Sequence, residues 1–332
     1  MKRTAGALLG ALCSVALIVW AGSRARSTPP PPSSPAQDSQ RVVAREQRST
    51  VAPVTTLFEQ PSSAYHARLF ADEAGVVLIT QTGFAILRNE QAAEEHAVPL
   101  GPIAVRQGDT VVFWRSGWLR QVSLSGGDER SLVALTRPPQ YLLASEQRLA
   151  WIDFDRTSGT SLQTLSGDDL RVVFESEDRV CASVLRDNVV YWILQSRDAS
   201  WKMGSLSLDG QQRRLTAAHQ GRPPAMLALG PDGVYFYDGP ERGVRRLTFQ
   251  LDREDAVSTN VICSPLVVSN RAICAQVGGL FDIPPESPAP RFLASERDGP
   301  ITAVAATGDR LFWVAESGND QMVVRTAPLP GL

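Results

Sequence analysis

Lysine is almost missing from this chain: of its 33 Lys and Arg residues only Lys2 and Lys202 are lysine, a bias expected of GC-rich coding. With 35 Asp and Glu the formal net charge is −2 and the pI is near 6.0, which excludes a broadly cationic nucleic-acid binder. Four Cys are too few for a disulfide scaffold in 332 residues. No apolar pattern of helical spacing persists over about 11 residues or more, which excludes βαβ units. What is present is 43% hydrophobic residues with 25 Gly and 23 Pro, neither a disordered polyelectrolyte nor a collagen-like chain. The length suits one large β or α/β domain, or two ordinary ones.

The first 60 residues differ from the rest. Lys2 and Arg3 precede an uncharged run over residues 4–23 that includes Leu8, Leu9, Val15, Leu17, Ile18 and Val19. A basic start followed by an apolar run reads as an export signal, and Val19-Trp20-Ala21 offers small residues for cleavage after Ala21. Kept in place, residues 5–21 span about 26 Å as helix, marginal for crossing a membrane but within the range of an anchor. Cys13 follows Leu12 rather than the small residue of a lipid-attachment signal and sits in the middle of the run, which argues against lipidation. Each reading places the body outside the cytoplasm, periplasmic or extracellular, with membrane contact only through residues 4–23. Residues 24–60 contain Pro29 to Pro32 and Pro35 with almost no aromatics, an extended spacer by composition. Seven basic and three acidic residues give the first 60 positions +4, leaving the body near −6.

From residue 61 to 332 the chain repeats. A turn-type residue is followed after one position by an apolar residue, and two positions later by a bulky one. The copies are Ala74-Gly75-Val76-Val77-Leu78, Asp109-Thr110-Val111-Val112-Phe113, Gln147-Arg148-Leu149-Ala150-Trp151 and Asp187-Asn188-Val189-Val190-Tyr191. They continue with Asp232-Gly233-Val234-Tyr235-Phe236, Asn270-Arg271-Ala272-Ile273-Cys274 and Asp309-Arg310-Leu311-Phe312-Trp313. First positions are 35, 38, 40, 45, 38 and 39 residues apart. Each unit holds four short strand-like segments: in one of them a small apolar strand at Ile103-Ala104-Val105, then the copy itself, then a strand from Trp118, then one from Ser131. Third and fifth positions of a copy share one sheet face, as packing between units requires. Four-stranded units of about 40 residues are the blades of a β-propeller. The expectation is all-β: a seven-bladed β-propeller of four-stranded antiparallel blades over residues 61–332, with six or eight blades if a terminal repeat pairs differently. The segment near Val51 to Phe58 is available to complete the last blade.

Val190-Tyr191-Trp192, Val112-Phe113-Trp114 and Leu311-Phe312-Trp313 resemble the YWTD-type repeats of lipoprotein-receptor propellers, and the body is similar to exported bacterial TolB-like propellers. The Thr-Asp half of the motif is missing, since Trp192 is followed by Ile193-Leu194, and seven copies stand where those families have six blades. The resemblance implies non-catalytic binding of other proteins.

Sites of chemistry are few. His66, His96 and His219 lack any metal-ligand spacing and read as exposed loop histidines. No glycine-rich phosphate loop opens a helix. Asp153-Phe154-Asp155-Arg156-Thr157 alternates oxygen donors like a calcium loop, but it lacks a downstream bidentate Glu and carries Arg156, so it reads as a polar loop. Cys263 and Cys274 fall on the first two strands of one blade, where an exported protein could join them, although Cys274 also holds a core column. Loops between second and third strands are the most varied, and scaffold-held loops carry function more often than strands do. The expected binding rim is therefore Arg115, Trp118, Asp155, Arg197, Trp201, Glu241 and Glu316, and the expected partner a protein or polymer of the cell envelope. No cofactor, metal or nucleic acid is expected, and the chain is expected to be monomeric. The alternative is a propeller-based enzyme: a hydrolase, lyase or quinone-dependent dehydrogenase.

Overall fold

The computed structural model describes residues 53–61, 67–72, 75–88, 93–259, 261–264, 266–268, 271–284, 290–307, 309–317 and 321–329. The expected signal segment, the linker up to residue 52 and His66 lie outside them. Seven four-stranded antiparallel sheets form the blades of a β-propeller. Blade 1 is β2 to β5 (Arg68–Asp72, Gly75–Ile79, Phe84–Leu87, Glu94–His96) and blade 2 is β6 to β9 (Ala104–Gln107, Thr110–Arg115, Trp118–Ser123, Arg130–Ala134). Blade 3 is β10 to β13 (Tyr141–Ala144, Leu149–Asp155, Gly159–Ser166, Asp169–Ser176) and blade 4 is β14 to β17 (Arg179–Arg186, Val189–Gln195, Trp201–Ser207, Arg213–Leu215). Blade 5 is β18 to β21 (Leu227–Leu229, Val234–Tyr237, Val244–Leu247, Glu254–Ser258) and blade 6 is β22 to β25 (Leu266–Val268, Ala272–Gln276, Gly279–Ile283, Arg291–Ser295). Blade 7 combines β26 to β28 (Ile301–Ala306, Arg310–Ser317, Gln321–Pro328) with β1 (Thr55–Pro61) as its outer strand. One helical turn, α1 (Gly239–Arg242), is the only helix among the described residues.

The N-terminal strand thus closes the ring, as its apolar pattern allowed. Residues 55–60 belong to the propeller and not to the spacer, because Leu57 and Phe58 supply apolar surface that composition averaged over residues 24–60 conceals. Phe58 is buried with Phe312, Met322 and Val324.

Seven apolar clusters glue neighbouring blades together, and the predicted column is at their centre. Leu78, Phe113, Trp151, Phe236, Cys274 and Trp313 each face the preceding blade and are fully or almost fully buried. Blade 4 differs by one residue. Arg186 pairs with Val189, so Asp187 and Asn188 form the turn, and Asn188 is the counterpart of Asp109. Trp192 therefore faces blade 3, and Tyr191 turns towards blade 5. Corrected for this, the separations become 41 and 44 instead of 40 and 45.

Two devices recur that finish each blade. The outer strand carries a one-residue bulge in five blades, and the extra residue is Leu57, Leu132, Val173, Val257 or Leu293. The two outer strands without a bulge, β5 and β17, are three residues long. Bulged or short edges resist pairing with another chain, so all seven edges are blunted. On the inner strands, side chains reach a main-chain carbonyl of the next blade: Arg68 to Ala104 (2.8 Å), Gln107 to Ser145 (3.0 Å), Tyr141 to Cys181 (2.5 Å) and Arg186 to Gly230 (3.0 Å).

Candidate functional site

Successive strands run in opposite directions, so the turns between second and third strands gather with the blade-to-blade crossings at one end of the ring, the upper face. First-to-second and third-to-fourth turns gather at the lower face. All seven predicted rim positions belong to upper-face hairpins, but they are not alike.

Arg115 and Trp118 are cross-strand partners at the last rung of β7 and β8. The guanidinium donates to the Pro99 carbonyl (3.1 Å) and to Glu129, and lies 5.4 Å from the Phe113 ring. This fixes Arg115 while leaving the neighbouring Trp118 indole 41% exposed. Arg197 extends into solvent with Glu177 3.4 Å away. Glu241 is exposed on α1. Glu316 is half-buried, with its backbone N–H on the Pro300 carbonyl (3.1 Å).

Asp155 caps its own turn. One carboxylate oxygen accepts from the Thr157 and Ser158 backbone N–H groups (2.7 and 3.1 Å) and the Thr157 hydroxyl, while the other faces Arg137 at 2.5 Å. These donors hold its carboxyl well below the usual carboxylate range. In the same blade, Asp153 accepts from the Gln163 amide (2.8 Å) and its other oxygen is buried without a partner. Burial pushes its pKa up to about 6. A folded-state value above the ordinary 3.8 means that the fold favours the protonated form, so stability is lost as pH rises from about 4 through about 6. Asp153→Asn is therefore expected to raise the melting temperature at pH 8 and leave it unchanged near pH 4, as thermal melts at both values would show.

Trp201 is not a rim residue. It is 1% exposed, stacked on His219 with centroids 4.2 Å apart and edge-on to Phe236. As the first residue of β16 it shares a face with Tyr191 and Ile193, directed at blade 5, and the crossing segment pairs with it through His219 (N–H to carbonyl, 2.9 and 2.8 Å). Trp201→Ala is expected to cost about 3–5 kcal/mol, whereas Trp118→Ala changes stability by less than about 1 kcal/mol. Denaturant unfolding of both variants checks this.

The histidines correct another expectation. His96 and His219 are half-buried and stacked on Phe84 (4.6 Å) and Trp201 rather than free in loops. His219 also approaches Glu254 (3.9 Å), which accepts from Arg245 (2.9 Å), while Arg242 pairs with Asp238 (2.7 Å). Burial raises the Asp238 carboxyl, with Arg242 opposing. The sequence held no signal for this group, because Glu254 lies on an outer strand 35 residues beyond His219. Among the described residues no cluster of three or more His, Cys, Asp and Glu is arranged to hold a metal.

Cys263 and Cys274 are joined by a disulfide, Cα atoms 4.8 Å apart. Cys263 lies on the crossing segment three residues before β22, and not on the first strand as the sequence suggested. Cys274 keeps its core place as well. The bond holds the crossing against β23 beside Ile262 and Val277, two exposed aliphatic side chains. Concavities formed by the described residues also lie on the other face. Hollows of about 390, 420 and 640 Å³ on the lower face are linked by shared lining residues, Asp109 between the first two and Glu146 with Gln147 between the last two.

No protein-family model and no curated protein sequence matches this chain. Among solved structures, the WD40 domain of Neurospora crassa Pan2 is similar at 12% identity and a TM-score of 0.59, over 85% of this chain and 98% of that one. The AfRom2 CNH domain is similar at 8% identity and a TM-score of 0.56, over 84% of this chain and 100% of that one. At such identities the likeness shows the propeller fold. A chain of a nidogen/laminin complex also aligns, at 16% identity over 75% of this chain and 84% of that one, but its TM-score of 0.38 is too low to carry the receptor-type resemblance further.

Proposed function

We propose that this protein is a non-catalytic binding module of the cell envelope, engaging a protein or polymer through its upper face. The β-propeller commonly serves as a protein-interaction scaffold. The observation that carries the reading is the exposed Trp118 indole beside a guanidinium fixed on both sides, since interface energy concentrates on aromatic and arginine anchors. Arg197, Glu241, Asp155 and Glu316 complete the rim, and Trp201 supports it from beneath.

The test is crosslinked capture from the native envelope with wild type and a variant carrying Ala at Arg115, Trp118, Arg197 and Glu241. Both must first melt alike. A partner held by the wild type and lost by the variant supports the reading. Equal capture, or none by either protein, overturns it, and a cofactor or metal retained through purification would favour the enzyme alternative.

A further inference from the structure

The lower face carries a groove between blades 2 and 3 that the reading above leaves unused. Its floor is apolar: Leu149 is buried, and Leu132 and Leu165 are half-buried against the cluster between these blades. β13 extends the floor outwards. Leu170 pairs across from Leu165 and Val172 across from Gln163, so both point to the blade 2 side, and they are 45% and 56% exposed. They are the two exposed apolar positions of β13, on a strand whose bulge at Val173 blocks simple strand addition.

The walls are acidic. Asp109 stands on the blade 2 side, Glu146 and Asp168 on the blade 3 side, and none of the three has an ion pair or a side-chain hydrogen bond among the described residues. Arg130 is the one cation among the groove's lining residues, leaving a net charge of −2 around a trough of about 420 Å³ in which Leu132, Leu149 and Leu165 lie among polar side chains. Elsewhere on the ring, carboxylates such as Glu129, Asp255 and Glu296 are tied to arginines. Carboxylates that flank exposed leucine and valine without a partner complement a ligand with aliphatic side chains and positive charges.

We infer that this groove is a second docking site, for an extended peptide segment of a partner protein that alternates Arg or Lys with Leu, Ile or Val. In an extended chain aliphatic residues at alternate positions can pack on Leu165, Leu170 and Val172, while the intervening cations, on long flexible stems, reach the carboxylates of Asp109, Glu146 and Asp168 at the lower-face turns that rim the groove. The site is independent of the upper face, and its partner need not be the same molecule.

The experiment pans a random dodecapeptide phage library on the immobilised full chain and then measures a synthetic peptide of the recovered sequence by fluorescence anisotropy. Recovered sequences are expected to alternate cationic and aliphatic residues. Affinity is expected to fall on the order of tenfold or more in the D109N/E146Q/D168N variant, and similarly in half-molar salt or in L170S/V172S. These positions are at the surface, and equal melting temperatures establish that the variants fold. Neutral or acidic sequences, undiminished binding by the neutralised variant, or no recovered sequence overturns the inference. So does a concentration-dependent dimer in sedimentation that L170S/V172S abolishes, because a second copy would then occupy the groove. The upper-face alanine variant is expected to bind the peptide as the wild type does, which separates failure here from failure of the upper-face reading.

Discussion

A chain beginning at Ser62 is expected to aggregate or to melt at least 10 °C below one beginning at Arg45, a drop of about the size that several kcal/mol produce in a domain this large. Without β1, blade 7 loses its outer strand, and the whole edge of β28 from Gln321 to Thr326 loses its pairing. The cluster holding Phe58, Phe312, Met322 and Val324 also opens to water. An unpaired edge beside exposed apolar surface is an invitation to intermolecular pairing, and β28 is eight residues long with no bulge of the kind that blunts five of the outer strands. Adding a synthetic peptide of residues 53–61 should restore part of the lost stability. Differential scanning calorimetry and light scattering on the three samples check this, and an unchanged melting temperature in the truncated chain would mean that the ring is not closed by β1.

Glu296→Ala comes second, with an expected loss of about 3–5 kcal/mol, the range for breaking a buried charged pair. Glu296 lies just after blade 6 and is almost inaccessible. It accepts from the Trp313 indole N–H (2.7 Å), from Arg325 (2.9 Å) and from the Asp298 backbone N–H (2.9 Å). One side chain thus ties the crossing between blades 6 and 7 to the second and third strands of blade 7. Removing it strands an indole N–H and leaves Arg325 with Asp298 alone, at a site where little water can substitute. Glu296→Gln keeps an acceptor for the indole and should recover part of the loss. Urea unfolding of the two variants beside wild type measures it.

Much of this was legible in the sequence because a propeller writes itself seven times. A turn residue followed by a two-residue apolar alternation is a local property, and repetition at near-even spacing turns a weak signal into a strong one. The closing strand was readable for the same reason, since it followed from knowing where a blade begins and ends. The disulfide was only half readable: the repeat places Cys274 in its core column on the second strand, but nothing in it shows that Cys263 falls on the crossing segment and not on the first strand. The phase error in blade 4 is equally local in origin. Asp187 and Asn188 both suit a turn, and only the pairing of Arg186 with Val189 decides which one leads the strand. A second repeated signal went unread. Gly83, Gly159, Gly243 and Gly279 recur at the start of a third strand, where an added Cβ would collide with a carbonyl of the outer strand. At Gly159 and Gly243 the positive φ requires glycine as well.

The rim was less legible. A hairpin position says which end of the ring a residue occupies but not whether its side chain points to solvent or into the next blade. Trp118 and Trp201 both open a third strand, yet the longer loop over 196–200 puts Trp201 under the crossing segment that carries His219, while the tight Ser116-Gly117 turn leaves Trp118 exposed. The outer-strand bulges were invisible for a related reason. The extra Leu or Val looks like any strand residue until the partner strand shows that it has no counterpart.

The most direct test of the binding reading is hydrogen exchange by mass spectrometry on the full chain, with and without the partner recovered from the envelope. The upper-face account predicts slowed exchange in the hairpins at 115–118, 155–159, 195–201 and 237–244, and unchanged exchange at 108–109, 145–148 and 187–188. Protection confined to the latter three turns would contradict it and place that partner on the lower face.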